Sequence, residues 1–264
     1  MLIICNGAFK SGSSWLHAIL IELLKIKKIP LKRVPDFYTN DTNSPTKIIE
    51  SNLDKFIFHE SFEKQNYITK AHFFKTNTLK SAYPDNVKFI FVKRSMKDAI
   101  VSHFYHIKNK FRLNITFKLY YIFLGKYKSY EIYLFNKRCK EHFGKDNFIY
   151  YHDLKNNFSS VIDKLCDILN IEYLIDSEIE ILRQETSIDK LRQKSKTGQS
   201  EYYPSKRKDN WKYFRLGAEG NWVDYFSKRQ LIHVNNIDKG VVSFPLKFYY
   251  LLLFTLRRYL ANIE

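Results

Sequence analysis

Eleven residues near the N-terminus, Asn6-Gly7-Ala8-Phe9-Lys10-Ser11-Gly12-Ser13-Ser14-Trp15-Leu16, lie between an apolar run, Leu2-Ile3-Ile4-Cys5, and a segment with helical periodicity. Strand, tight glycine loop and helix in that order offer backbone N–H groups and a helix N-terminus to a phosphate. The position of the lysine narrows the choice of ligand. A nucleotide triphosphatase loop reads G-x-x-x-x-G-K-[ST], its lysine reaching the β- and γ-phosphates. Counted from Gly7, that slot holds Ser13, and the lysine stands three residues earlier, at Lys10. The loop suits a phosphate-bearing nucleotide but not ATP hydrolysis in the usual geometry.

Strand-like and helix-like segments alternate downstream. Leu2–Cys5 reads as a first strand and Ser13–Lys25 as a first helix, with Trp15, Leu16, Ile19, Leu20 and Leu23 on one face. Ser44-Pro45 supplies an N-cap and first-turn proline for a helix running to about Lys55. Tyr67–Lys70 and Val87–Val92 read as strands, with Ser95 capping a helix over Met96–Lys110. Phe148–Tyr151 reads as another strand and Phe158–Leu169 as another helix. This order predicts an α/β fold with a central parallel sheet covered by helices on both faces, and ligands beyond the carboxyl ends of the strands. Residues 195–221 are polar, basic and rich in turn formers, and read as a long loop. One domain spanning residues 1–264 is expected.

The charge balance calls for an anionic partner: 44 Lys+Arg against 27 Asp+Glu give a net +17. Nucleic acid, acidic membrane and an anionic cofactor all satisfy it. Cys5, Cys139 and Cys166 form no C-x-x-C pair, so neither a zinc site nor a disulfide framework is indicated, and a reducing, cytoplasmic compartment is the simpler reading. The first apolar run is four residues long and flows straight into the glycine loop, so no signal peptide is expected there. Phe248–Leu256 is apolar and aromatic but too short to span a bilayer. Residues 245–262 read either as a helix packed on the domain or as a peripheral membrane contact.

Further segments carry chemistry. Lys70-Ala71-His72 ends a strand, and alternation puts the cation and the titratable ring on one side. Arg94 ends the Val87–Val92 strand and Ser102 follows two turns into the next helix; a guanidinium there can chelate a phosphate, with the hydroxyl adding a bond. A surface ion pair with Asp98 is the plainer use of that arginine. In Phe214-Arg215-Leu216-Gly217-Ala218-Glu219-Gly220-Asn221-Trp222, Gly217 permits close approach of backbone to an anion while Arg215 supplies charge.

Together these segments resemble the sulfotransferases that use 3′-phosphoadenosine 5′-phosphosulfate (PAPS). The family's Y-P-K-S-G-T-T-W is matched by Ala8-Phe9-Lys10-Ser11-Gly12-Ser13-Ser14-Trp15, and its K-[ST]-H-L-P by Lys70-Ala71-His72-Phe73. R-N-P-K-D-x-x-x-S is matched by Arg94 to Asp98 with Ser102, Y-E-D-L by Tyr151-His152-Asp153-Leu154, and T-S-F by Thr186-Ser187-Ile188. The terminal R-K-G-x-x-G-D-W appears as Arg215 to Trp222. Six matches run in family order.

The resemblance implies a P-loop-like three-layer fold and a role for each position. Ser11, Gly12, Ser13, Ser14 and Trp15 would cradle the 5′-phosphosulfate, and Lys10 would neutralise the leaving bridging oxygen. Arg94, Ser102 and Arg215 would hold the 3′-phosphate, with Gly217 closing over it. Trp15 would stack on adenine, with Tyr151 and Thr186 at its edge. His72 would take the proton from the acceptor hydroxyl or amine, Lys70 would stabilise the sulfuryl group, and 3′-phosphoadenosine 5′-phosphate (PAP) would leave as product. Cationic side chains can serve throughout, so no metal is required. Ile188 stands where the family carries an aromatic, Ala71 and Phe73 flank the base, Ser95-Met96 lacks the proline, and Leu216 replaces a lysine. The dimerisation signature K-x-x-x-T-V-x-x-x-E is absent after Trp222, and no oligomer is assigned.

Two other readings share some of these features. A P-loop nucleotide or small-molecule kinase requires the lysine at position 13 and an acidic Mg²⁺ ligand. A non-enzymatic basic protein binding nucleic acid or a membrane surface accounts for +17 but leaves His72 and the ordered motifs unexplained. No nucleic-acid partner is expected. The acceptor stays open among phenols, lipids and glycans. Phe104–Phe143, crowded with Phe, Tyr and Lys, lines an acceptor cleft or packs a helical subdomain.

Overall fold

A computed structural model describes residues 1–32, 34–39, 48–59, 62, 65–73, 82–197 and 219–261, backbone alone at 36 and 254–261. In chain order the elements are β1 (Leu2–Gly7), α1 (Ser13–Ile26), α2 (Leu53–Ile57), β2 (Tyr67–Ala71), β3 (Val87–Lys93) and α3 (Met96–Lys110). There follow α4 (Phe117–Tyr120), a π-helical turn over Tyr121–Gly125, α5 (Lys126–Phe143), β4 (Phe148–Tyr150), α6 (Tyr151–Asn156) and α7 (Phe158–Leu169). Then come α8 (Asp176–Glu185), α9 (Ile188–Thr197), α10 (Lys228–Asp238) and α11 (Phe244–Ala261). The chain forms two compact units, one from residues 1–7, 11–94 and 139–197, the other from 8–10, 95–138 and 219–261.

The first unit is a parallel four-stranded sheet in the order β2-β1-β3-β4. All six residues of β1 are buried, as expected of a central strand covered on both faces. One face presents Ile3, Cys5, Ile68, Ile90, Val92 and Ile149 to α1, α7 and α8. Helix α7 supplies Phe158, Val161, Ile162, Leu165, Cys166 and Leu169 at helical spacing, and ends at Asn170 in the left-handed conformation, φ +54°. The opposite face is aromatic: the Phe143 ring lies 4.9 Å from both Phe89 and Phe91, and Phe56 of α2 packs edge-on against Tyr67. The predicted α/β fold with helices flanking a parallel sheet is therefore the observed one.

The second unit is helical and built on aromatic packing. Phe117 meets Phe226 at 4.9 Å and Tyr225 at 5.5 Å, while Phe104 packs on both Phe117 and Tyr120. Much of the aromatic crowd over Phe104–Phe143 is thus core: Phe104, Phe117, Tyr120, Tyr121, Tyr127 and Phe135 are all buried. A side chain at Gly125 would press on the Tyr121 ring at 2.7 Å, so the π-turn needs glycine there. Among the described residues, no helix is long and apolar enough to cross a membrane.

Several local expectations need correction. Tyr151 is not the last strand residue but the first of α6, because β4 loses its pairing partner once β3 ends at Lys93. Ser95 stands at the N-cap of α3, yet its side chain makes no capping bond. Ser44-Pro45 lies outside the described residues; Ile48 pairs with Thr39 in an antiparallel bridge and helix begins only at Glu50. Residues 195–197 belong to α9 rather than a loop, and Asn221–Asp224 forms a 3₁₀ turn. The remainder of that loop, residues 198–218, lies outside the described residues.

Candidate active site

Within the first unit the site grows from the carboxyl ends of β1 and β2. Gly7 ends β1 under the loop: a Cβ there would meet Ser11 Oγ at 2.5 Å and Val92 Cγ1 at 2.9 Å. Gly12 occupies the N-cap of α1 at φ +105°, where a Cβ would strike the Tyr151 ring at 2.5 Å. Only glycine satisfies both the backbone angle and the approach. The turn also holds Lys10 left-handed, at φ +63°. No side chain caps the start of α1, and Trp15 N and Leu16 N both bond the Gly12 carbonyl, so the helix begins with its positive end toward the loop. Ser11 Oγ is buried and has no hydrogen-bond partner among the described residues. A buried orphan hydroxyl beside a glycine-lined turn and an uncapped helix start is an environment that an anion can complete.

The carboxyl end of β2 is tied to both ends of this loop. Lys70 Nζ donates to Ser14 Oγ at 3.1 Å, on the first turn of α1. His72 Nδ1 lies 2.7 Å from the Gly7 carbonyl oxygen. A carbonyl only accepts, so Nδ1 carries the proton and Nε2 is the basic nitrogen of the neutral ring. Sequence reasoning missed the residue that sets this geometry. Asn6, fully buried, donates from Nδ2 to the Phe73 carbonyl at 2.9 Å and accepts at Oδ1 from Phe73 N and Gly7 N. The available signal was an amide at the end of an otherwise apolar strand, where burial demands partners.

Three further predicted residues assemble beside α1. The Trp15 indole N–H donates to the Thr186 carbonyl at 2.8 Å, and its ring meets Tyr151 edge-on at 5.2 Å. The Arg94 guanidinium stacks over the opposite partner, the Tyr151 ring, at 4.3 Å. The Thr186 hydroxyl donates back to the Leu182 carbonyl, so its backbone rather than its side chain faces Trp15. Ile188 packs against the core of this unit. Behind the loop, His17 of α1 is fully buried; burial and then the Lys70 charge hold its pKa down at about 3, and the ring is neutral. Burial likewise pushes the Cys5 thiol up, which makes it inert.

The second unit holds Lys10 and Ser102, the latter half-buried on α3. There the Phe9 ring packs edge-on against His103 and His106. Burial, then Lys10 and Lys110, lower the His106 pKa to about 4, so that ring too is neutral near pH 7. The Asp98 carboxylate is buried and accepts from Gly220 N at 3.1 Å, while Lys97 Nζ sits 4.0 Å over the Trp222 ring. Two of the sequence motifs, 94–102 and 215–222, therefore meet through Lys97, Asp98, Gly220 and Trp222. Arg215 and Gly217 lie outside the described residues. Among the described residues, no group of three or more His, Cys, Asp or Glu side chains is placed to hold a metal ion.

Comparison with known proteins places this geometry in a family. The flavonol 3-sulfotransferase of Flaveria bidentis is 24% identical over 258 residues, covering 87% of this chain and 77% of its own. Sulfotransferase 2A6 of Mus musculus is 24% identical over 248 residues, covering 89% of this chain and 82% of its own. The crystal structure of mouse sulfotransferase SULT7A1 complexed with PAP superposes with a TM-score of 0.63 at 18% identity, covering 94% of this chain and 87% of that one; it supports the same fold. The model of the sulfotransferase domain family matches residues 2–240. The chain belongs to the sulfotransferase domain family.

Proposed function

We propose that this enzyme moves a sulfuryl group from PAPS to the hydroxyl, or amine, of a small-molecule acceptor, with His72 as general base. The observation that carries the proposal is the double attachment of β2 to the phosphate loop, Lys70 to Ser14 and His72 to Gly7. It gives a cation and a base fixed positions at the mouth of an anion-binding turn.

The roles follow from that arrangement. Ser11 to Ser14 hold the phosphosulfate through backbone N–H groups and hydroxyls, and Ser11 Oγ gains the partner it lacks. Trp15, anchored by the Thr186 carbonyl, and Tyr151 form the adenine platform. Arg94, kept planar against Tyr151, faces the 3′-phosphate. His72 Nε2 accepts the acceptor proton as the new O–S bond forms and the S–O bond to the bridging phosphate oxygen breaks. Lys70 balances charge on the sulfuryl oxygens. Lys10 at the leaving oxygen, and Ser102, Arg215 and Gly217 at the 3′-phosphate, take their roles from the motif resemblance. PAPS, when bound, supplies the activated sulfuryl group; the protein contributes positioning and fixed positive charge.

Labelled-sulfate transfer from PAPS across phenols, steroids, lipids and glycans tests this, with His72→Ala beside wild type. Transfer to at least one small-molecule acceptor, lost in the variant, is expected. Full turnover by His72→Ala would remove the base assignment. A wild type that neither binds PAP nor transfers sulfate to any acceptor would remove the donor as well.

A further inference from the structure

Helix α11 is apolar on the wrong side for a helix that only packs inward. Leu246 and Tyr250 are buried, and Tyr250 stacks on Tyr127 and meets Tyr130 edge-on. On the opposite side Phe244, Phe248, Leu251 and Leu252 stand 79, 60, 59 and 48% exposed. Their i, i+4, i+7, i+8 spacing makes one stripe, roughly 12 Å long at 1.5 Å per residue. The stripe is widened from the same unit. Tyr249 Oη donates to the Phe123 carbonyl at 2.9 Å, which brings the π-turn alongside α11, and the Phe123 ring is 68% exposed. A contiguous apolar patch of this kind on a soluble domain marks a contact surface.

The surrounding charge says which surface. No Asp or Glu occurs from Ala99 through Tyr130, a stretch carrying Lys108, Lys110, Arg112, Lys118, Lys126 and Lys128. None occurs from Lys239 through Ile263, which carries Lys239, Lys247, Arg257 and Arg258. The acid that ends the first stretch, Glu131, is bonded to Lys128. Lys118 and Lys247 are exposed beside the apolar residues. An apolar face with exposed Lys118 and Lys247 next to it in the chain fits an anionic lipid surface, where rings enter the headgroup boundary and lysines stay at the phosphates. A second copy of this chain would bring cations against cations. We propose that α11 and the 121–125 turn form a docking surface for anionic membrane, lying on the bilayer rather than crossing it. The inference is independent of the sulfotransferase reading.

Vesicle co-sedimentation of the full chain tests it, using phosphatidylcholine alone and phosphatidylcholine with phosphatidylserine. Binding to the mixed vesicles, weakened by salt and small on phosphatidylcholine alone, is expected. Phe248→Ser with Leu251→Ser should lower the partition constant by roughly tenfold or more, with turnover of a water-soluble acceptor unchanged. Lys118→Gln with Lys247→Gln should weaken binding to the anionic vesicles specifically. Absence of wild-type binding would overturn the proposal, as would equal binding by the Ser variant. So would a light-scattering dimer that the Ser variant dissolves in a protein that ignores vesicles.

Discussion

His72 and Gly7 are joined across the neighbouring strands β2 and β1, the imidazole Nδ1 2.7 Å from the glycine carbonyl. One bond orients the ring, selects the tautomer with a basic Nε2, and ties the proposed base to the residue that opens the glycine loop. Removing the ring should therefore affect the chemical step more than donor binding. His72→Ala is expected to lower kcat roughly 10²- to 10⁴-fold while PAP affinity by calorimetry stays near wild type. A comparable loss of PAP affinity would mean that His72 serves the cofactor instead.

Asn6 sets the position of His72 through the bonds to Phe73 on either side of its peptide. Asn6→Ala removes the side-chain partner of two N–H groups, Phe73 and Gly7, and of the Phe73 carbonyl, and should cost about 1–3 kcal/mol in chemical unfolding. In the folded fraction kcat should fall with little change in KM. Asn6→Asp, which keeps the acceptor but not the donor, should recover part of the stability.

Gly12 and Gly144 both have positive φ, +105° and +69°, but only Gly12 has a ring against its Cα. Gly12→Ala should destabilise by about 1–3 kcal/mol and abolish the thermal shift given by PAP. Gly144→Ala meets nothing within 4 Å and should carry the backbone cost alone, with the PAP response intact.

His17 makes the first unit acid-sensitive. Its pKa is about 3 folded against an ordinary 6.5, so the unfolded chain binds the extra proton between those values. Stability from this group is complete above pH 6.5 and lost as pH falls toward 3, at about 1.36 kcal/mol per pH unit once below 6.5. His17→Leu should flatten the dependence of unfolding free energy on pH across that window. An unchanged slope would assign the acid sensitivity to other groups.

The parts of this molecule legible in its sequence are those set by local periodicity. Apolar spacing fixed α3 at Met96–Lys110 and α7 at Phe158–Leu169, and the glycine loop announced the β1–α1 junction. What escaped depends on contacts between distant residues. The end of β4 depends on where β3 stops, which no feature of Tyr151 encodes. The Arg94–Tyr151 stack, the Trp15–Thr186 bond and the Asn6 clamp join residues 57, 171 and 67 positions apart. The exposed stripe on α11 was visible as an apolar run, but its outward orientation follows only from the inward packing of Tyr250 on Tyr127 and Tyr130.

The displaced lysine is the centre of the account: a loop with Lys10 and Ser13 in these places should prefer a 3′-phosphorylated sulfuryl donor to a triphosphate. Calorimetric titration of the full chain with PAP and with Mg²⁺-ATP measures that preference directly. PAP binding roughly tenfold or more tighter than Mg²⁺-ATP is the predicted result, about 1.4 kcal/mol or more in its favour. Tighter binding of Mg²⁺-ATP, with no heat on addition of PAP, would contradict it.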